Sequence, residues 1–139
     1  MDVVPEPIIG NKNIEDAAIR FVVDQERGFG RAARDTRHAS APADIESDGR
    51  TIEVKAFGGW LRTQGALLLE ARQVDEARRN SEFYVYVVEN VAQGNPAKFE
   101  LRVIGGGQLQ ALLAAAKVHR YFEIPVRAAD YAKLGRLNR

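Results

Sequence analysis

One dipeptide constrains this chain more than any other feature: Asp48-Gly49 lies between two short strand-like runs, Asp44 to Ser47 and Thr51 to Phe57. A two-residue hairpin turn demands positive φ, which this pair adopts at low cost, so the two runs read as an antiparallel hairpin. With that turn as the loop, Ser47 faces Arg50, Glu46 faces Thr51, Ile45 faces Ile52 and Asp44 faces Glu53. Two carboxylates land side by side. Like charges directly opposed destabilise a strand pair, and paired carboxylates do not both ionise cheaply without a cation.

Strand alternation adds a third member. In Ile52-Glu53-Val54-Lys55 the apolar side chains point one way and Glu53 and Lys55 the other, so Lys55 shares a face with both acids. One lysine does not neutralise two carboxylates and also stay free for a substrate. A hard divalent ion held by oxygens of Asp44 and Glu53, the backbone carbonyl of Val54 and waters resolves the clash. Mg²⁺ suits such a partly hydrated site beside phosphates, with Mn²⁺ as a substitute. Lys55 is then available to position a water or meet a phosphate oxygen, and the reaction class expected is metal-assisted hydrolysis of a phosphodiester.

The rest of the chain alternates helical and extended patterns. Ile14, Ala17, Ala18, Phe21, Val22 and Gln25 recur at helical spacing over Asn13 to Arg27, with Asn13 as N-cap and Gly28 as the stop. A Gly- and Arg-rich stretch follows, with a short strand near Ala33 to His38. Gly58 to Gly65 reads as a loop carrying the one tryptophan, Trp60, and a second helix runs from about Ala71 to Asn80. Phe83 to Val88 is apolar on both faces, the mark of a strand inside a sheet. Phe99 to Ile104 is another strand, Gly105-Gly106-Gly107 opens a helix over Gln108 to Lys117, and a last short helix spans Ala128 to Leu134. This order predicts an α/β fold, a small mixed sheet flanked by helices.

At 139 residues the chain has room for one domain, taken as residues 13–139 after a lead-in over 1–12. There is no cysteine, hence no thiolate zinc site and no disulfide framework. Twenty Lys and Arg against 19 Asp and Glu leave a net charge of +1, which excludes an indiscriminate basic coat for nucleic acid but not a local basic face. The start has no basic segment leading into an apolar run and no stretch is long enough to span a membrane, so a cytoplasmic location is expected. His38 and His119 have no metal-spaced partner, and the triple glycine lacks the Lys-Ser/Thr of a nucleotide-binding loop.

Asp44, eight intervening residues, then Glu53-Val54-Lys55 on a hairpin after an initial helix resembles the PD-(D/E)XK nuclease superfamily. More narrowly, Pro42-Ala43-Asp44-Ile45-Glu46-Ser47, Ile52-Glu53-Val54-Lys55 and Phe83-Tyr84-Val85-Tyr86-Val87-Val88 resemble the NO VEIN C-terminal domain family, which recurs in helicase- and restriction-associated proteins. The resemblance spans roughly Asn13 to Asp130 and implies a restriction-endonuclease-like core acting on DNA. It implies Asp44 and Glu53 as metal ligands, Lys55 as the residue that orients the attacking water, Glu26 as an extra acid beside the metal and Gln73 as a glutamine facing the site. The proline lies two residues before Asp44, a mild departure, since it ligates nothing. Glu46 competes with Asp44 for a ligand role.

Arg27, Arg31, Arg34 and Arg37 read either as a phosphate-binding edge or as solvated loop charges, the former being preferred for the bidentate fit of arginine to phosphate. Tyr84 and Tyr86 read as sheet packing rather than base stacking. A homodimer, or a place in a larger helicase or restriction assembly, fits a small nuclease core, although no sequence feature marks an interface. The alternative function is a non-catalytic module that keeps the fold to bind nucleic acid or a protein partner.

Overall fold

The computed structural model describes residues 4–61 and 65–135. The elements run α1 (Asn11–Gly28), β1 (Ala33–Asp35), β2 (Ile45–Ser47), β3 (Arg50–Ala56), α2 (Ala71–Arg79), β4 (Phe83–Glu89), a 3₁₀ turn (Pro96–Lys98), β5 (Glu100–Ile104), α3 (Gly106–Ala114) and α4 (Ala128–Tyr131). The five strands form one sheet in the order β1-β2-β3-β4-β5. Only β3 and β4 are parallel, with Glu53 opposite Val85; the other pairs are antiparallel. A parallel pair needs a crossover, and here it carries α2. The architecture is the small mixed sheet flanked by helices that the element order predicts.

Each face of the sheet carries its own apolar layer. On one, Ala18, Ile19 and Val22 of α1 pack on Ile52, Val54 and Val88. On the other, Ala77 of α2 and Leu109 and Leu113 of α3 pack on Phe83, Val85 and Val87. β4 is therefore covered on both sides, which is why its sequence is apolar without alternation. Each fully buried Val or Ile contributes about 1.5–3 kcal/mol relative to exposure.

The element ends differ from the sequence expectation for local reasons. α1 begins two residues early, at Asn11, after Gly10 at φ 92°. Asn13 is consequently inside the helix, and its side-chain amide donates to the Ile9 carbonyl instead of capping. β1 stops at Asp35, beyond which Thr36 still donates its N–H to the Asp44 carbonyl and its hydroxyl to that of Ala43. α3 starts at Gly106 and ends at Ala114 rather than Lys117, and α4 stops at Tyr131 rather than Leu134. At Gly105 a Cβ would lie 2.4 Å from the Tyr84 ring, so this position before α3 has no space for a side chain. Among the described residues no helix is long and apolar enough to cross a membrane.

Candidate active site

The site begins with the turn. Asp48 and Gly49 take φ of 45° and 86°, and Asp48 is held by the Ala32 N–H donating to its carboxylate. The resulting register pairs Ile45 with Ile52, Glu46 with Thr51 and Ser47 with Arg50. One residue further, Asp44 reaches β3 and its Oδ2 accepts a hydrogen bond from the Val54 N–H at 2.9 Å. Val54 thus meets Asp44 through its backbone while its side chain joins the α1 layer. Glu53, with the opposite orientation, is 5 % exposed. The Lys55 ammonium lies 3.2 Å from Glu53 Oε2, whereas Oε1 is buried and receives no hydrogen bond.

Burial pushes the Asp44 carboxyl above its ordinary value, against the Val54 N–H, which holds it down. Glu53 is pushed up to about 7, first by burial and then by the neighbouring Asp44 charge, with Lys55 offsetting only part of both. The two acids therefore titrate as a unit that keeps a proton near neutrality. This is the electrostatic state of a site short of one positive charge.

Two hollows, of about 870 Å³ and 510 Å³, meet at Glu15, Asp44 and Glu53. The larger is bounded by Arg37, Arg72, Gln73 and Arg79, the smaller by Asn11, Lys55 and Phe57. Gln73 is brought to the acids as expected. Its side-chain oxygen accepts from the Glu70 N–H at 3.0 Å and so also caps α2.

Glu26 is not brought to them. It is 1 % exposed and accepts from Arg31 Nε and Nη2, each at 2.7 Å, while the Tyr86 hydroxyl donates to it at 3.1 Å. Burial works against its charge, but Arg31, the Ser47 hydroxyl and Tyr86 outweigh that and its carboxyl falls below the ordinary range. Arg50 donates to Tyr86 and lies over the Tyr84 ring, which completes a buried polar network. The acid that α1 supplies to the cleft is instead Glu15, which sequence reasoning missed. Eleven residues separate the two, about three helical turns, so they share a face of α1 but sit roughly 16 Å apart along it. Periodicity identifies that face; which end meets Asp44 depends on how α1 crosses the hairpin.

The four arginines do not form one edge. Arg27 donates to the Ala33 carbonyl, Arg31 to Glu26 and Arg34 to Glu46, an exposed pair outside both hollows. Only Arg37 reaches the cleft, held by Asp35 at 2.8 Å, Asp16 at 2.7 Å and Glu15 at 3.4 Å.

Among the described residues no three His, Cys, Asp or Glu side chains are gathered so as to hold a metal ion between them. The set present is a carboxyl pair in which Glu53 Oε1 is buried without a hydrogen-bond partner, oxygen donors of the hard type that a divalent cation takes. Fold and site together define a small mixed-sheet α/β domain built around a carboxyl pair and a lysine. Residues 14–103 match the family model described as Protein NO VEIN, C-terminal, and the chain belongs to that family. No curated protein and no solved structure matches the chain.

Proposed function

We propose that this chain is a metal-dependent nuclease of PD-(D/E)XK type, hydrolysing DNA phosphodiester bonds through Asp44, Glu53 and Lys55. The observation that carries the reading is the buried Asp44 and Glu53 pair, with Glu53 Oε1 unsatisfied and Lys55 3.2 Å from Glu53 Oε2. Asp44 and Glu53 would hold Mg²⁺, or Mn²⁺ in its place. When bound, such an ion neutralises the two acids, makes a water nucleophilic at neutral pH and stabilises charge developing on the phosphate. The Val54 N–H fixes the Asp44 carboxylate in place. With a cation on the acids, Lys55, which lies 3.2 Å from Glu53 Oε2, would be available to orient the attacking water or meet a phosphate oxygen. Glu15 of α1 and Gln73 of α2 border the same cleft and would hold waters around the acids.

Cleavage of DNA by the purified chain, with and without Mg²⁺ and for Glu53→Ala and Lys55→Ala, tests this directly. Metal-dependent cleavage lost in both variants supports the proposal, and cleavage unaffected by either substitution refutes it. The proposed setting is a defence, restriction or repair assembly inside the cell. A second reading, a non-catalytic module for nucleic acid or a protein partner, is favoured by the absence of a three-residue ligand group among the described residues. Calorimetric titration with Mn²⁺ separates the two, since only the nuclease reading requires binding that Asp44→Asn abolishes.

A further inference from the structure

Thirteen large hydrophobic side chains are exposed among the described residues, and seven of them lie between Val118 and Leu134. Val118 is 89 % exposed, Tyr121 and Phe122 88 %, and Ile124 80 %. Apolar clusters left open to this degree mark interaction sites in soluble domains. The segment is also patterned. From Tyr121 to Arg127, Phe122, Ile124 and Val126 alternate with Tyr121, Glu123, Pro125 and Arg127, the two-residue period of a strand. Residues 115–127 nevertheless contain no helix or strand. The stretch also lies beyond residues 14–103, the part that matches the family.

The sheet has a vacancy of the complementary kind. β5 pairs with β4 on one side and, among the described residues, has no strand on the other. Leu101 and Val103 lie opposite Val88 and Tyr86 and so share the α1 face, where Val103 is 46 % exposed. Arg102 points to the other face, bonded to Glu89 at 2.9 Å and 66 % exposed.

We infer that residues 121–127 of one chain add as a strand to β5 of a second copy, giving a two-fold dimer by reciprocal exchange of arms. With Glu123 set beside Arg102, Phe122 and Ile124 fall beside Leu101 and Val103 in either strand direction, so charge and apolar pattern agree in one register. The direction is antiparallel: the Val88 carbonyl accepts from Phe57 on the β3 side, so Val87 and its partner Arg102 bond each other and Leu101 and Val103 face the open edge, which leaves Glu123 and Pro125 facing the new outer edge, where a missing N–H costs little. Every copy carries one arm and one open β5 edge, so in a two-fold dimer each arm and each β5 edge is used once and no third copy is recruited through them. The arm carries four exposed large apolar side chains, Tyr121, Phe122, Ile124 and Val126; at roughly 150 Å² each they give about 600 Å² per arm, and with the β5 edge that each copy also contributes the total per partner comes near the roughly 800 Å² of a standard interface.

The test is the mass of the full chain in solution, by sedimentation equilibrium at micromolar concentrations. The expected wild-type mass is twice that of the chain. Phe122→Asp changes a side chain outside the core and leaves the circular dichroism unchanged, yet raises the dimer Kd at least about 30-fold. Val103→Lys does the same from the acceptor side. Mixed as folded proteins, the two variants form a heterodimer, because one retains an intact edge and the other an intact arm. A monomeric wild type, a Phe122→Asp dimer as tight as wild type, folded variants that fail to complement, or hydrogen-exchange protection of the arm in a monomer would each overturn the assignment.

Discussion

Glu53→Gln isolates the electrostatic cost of the acid pair. In the metal-free chain the Glu53 carboxyl titrates at about 7 when folded, against an ordinary 4.5. The folded chain therefore binds this proton more tightly than the unfolded chain. The stability that follows is fully present below about pH 4.5 and is lost as pH rises through 7. A shift of two to three pKa units corresponds to about 3 kcal/mol, and with Glu53 only 5 % exposed there is little solvent to screen it. Glutamine keeps the shape, carries no charge at any pH and offers a donor to Asp44. The variant should match wild type near pH 4.5 and exceed it by about 2–3 kcal/mol at pH 8, roughly a 10 °C rise in Tm for a domain of this size. Urea unfolding in EDTA, followed by the fluorescence of Trp60, the one tryptophan, measures both limbs. Parallel pH profiles for the two proteins, or a less stable variant at pH 8, would refute the reasoning.

Three further perturbations reach other parts of the molecule. Arg31→Met leaves Glu26 buried without its cation and should cost about 3–5 kcal/mol, most of it recovered in the Glu26→Gln, Arg31→Met double variant, as read from urea midpoints. The depressed Glu26 carboxyl should likewise make wild type lose stability as pH falls below the ordinary carboxylate range, a limb absent from the double variant. Gly105→Ala drives a methyl into the Tyr84 ring and should cost about 1–3 kcal/mol; Gly107→Ala, in open space within α3, should gain up to about 1 kcal/mol. Glu15→Gln should weaken Mn²⁺ binding about tenfold by calorimetry, while moving the urea midpoint by less than about 0.5 kcal/mol.

The hairpin was legible from sequence because its information is local: a turn dipeptide sets the register and a period of two sets the faces. Asp44, Glu53 and Lys55 are consequently where alternation places them. Gln73 reaches the cleft because α2 packs through Ala77 on Phe83, Val85 and Val87, the sheet face on which Glu53, opposite Val85, also lies. The choice between Glu15 and Glu26 was not legible, because they share a helix face and differ only in which end meets the hairpin. The arginines were misleading for a related reason. Closeness along the chain suggested a common edge, but their acceptors come from elsewhere, Glu46 across the strand pair for Arg34 and Asp16 on α1 for Arg37. Helix α3 stops at Ala114 although its composition allows more, because the residues beyond it pack on nothing that would stabilise a longer helix.

The Asp48-Gly49 turn also governs which changes in length the chain can absorb. One residue inserted on either arm of the hairpin would rotate Asp44 or Glu53 into an apolar layer, since a shift of one exchanges the two faces of a strand. The connection from Ala39 to Pro42 lines the larger hollow and lies outside any strand, so it can lengthen or shorten without moving either acid. Variation among descendants of this domain is thereby channelled: the contour presented to a binding partner is free to drift, while the spacing of the carboxyl pair is held by the geometry of the fold.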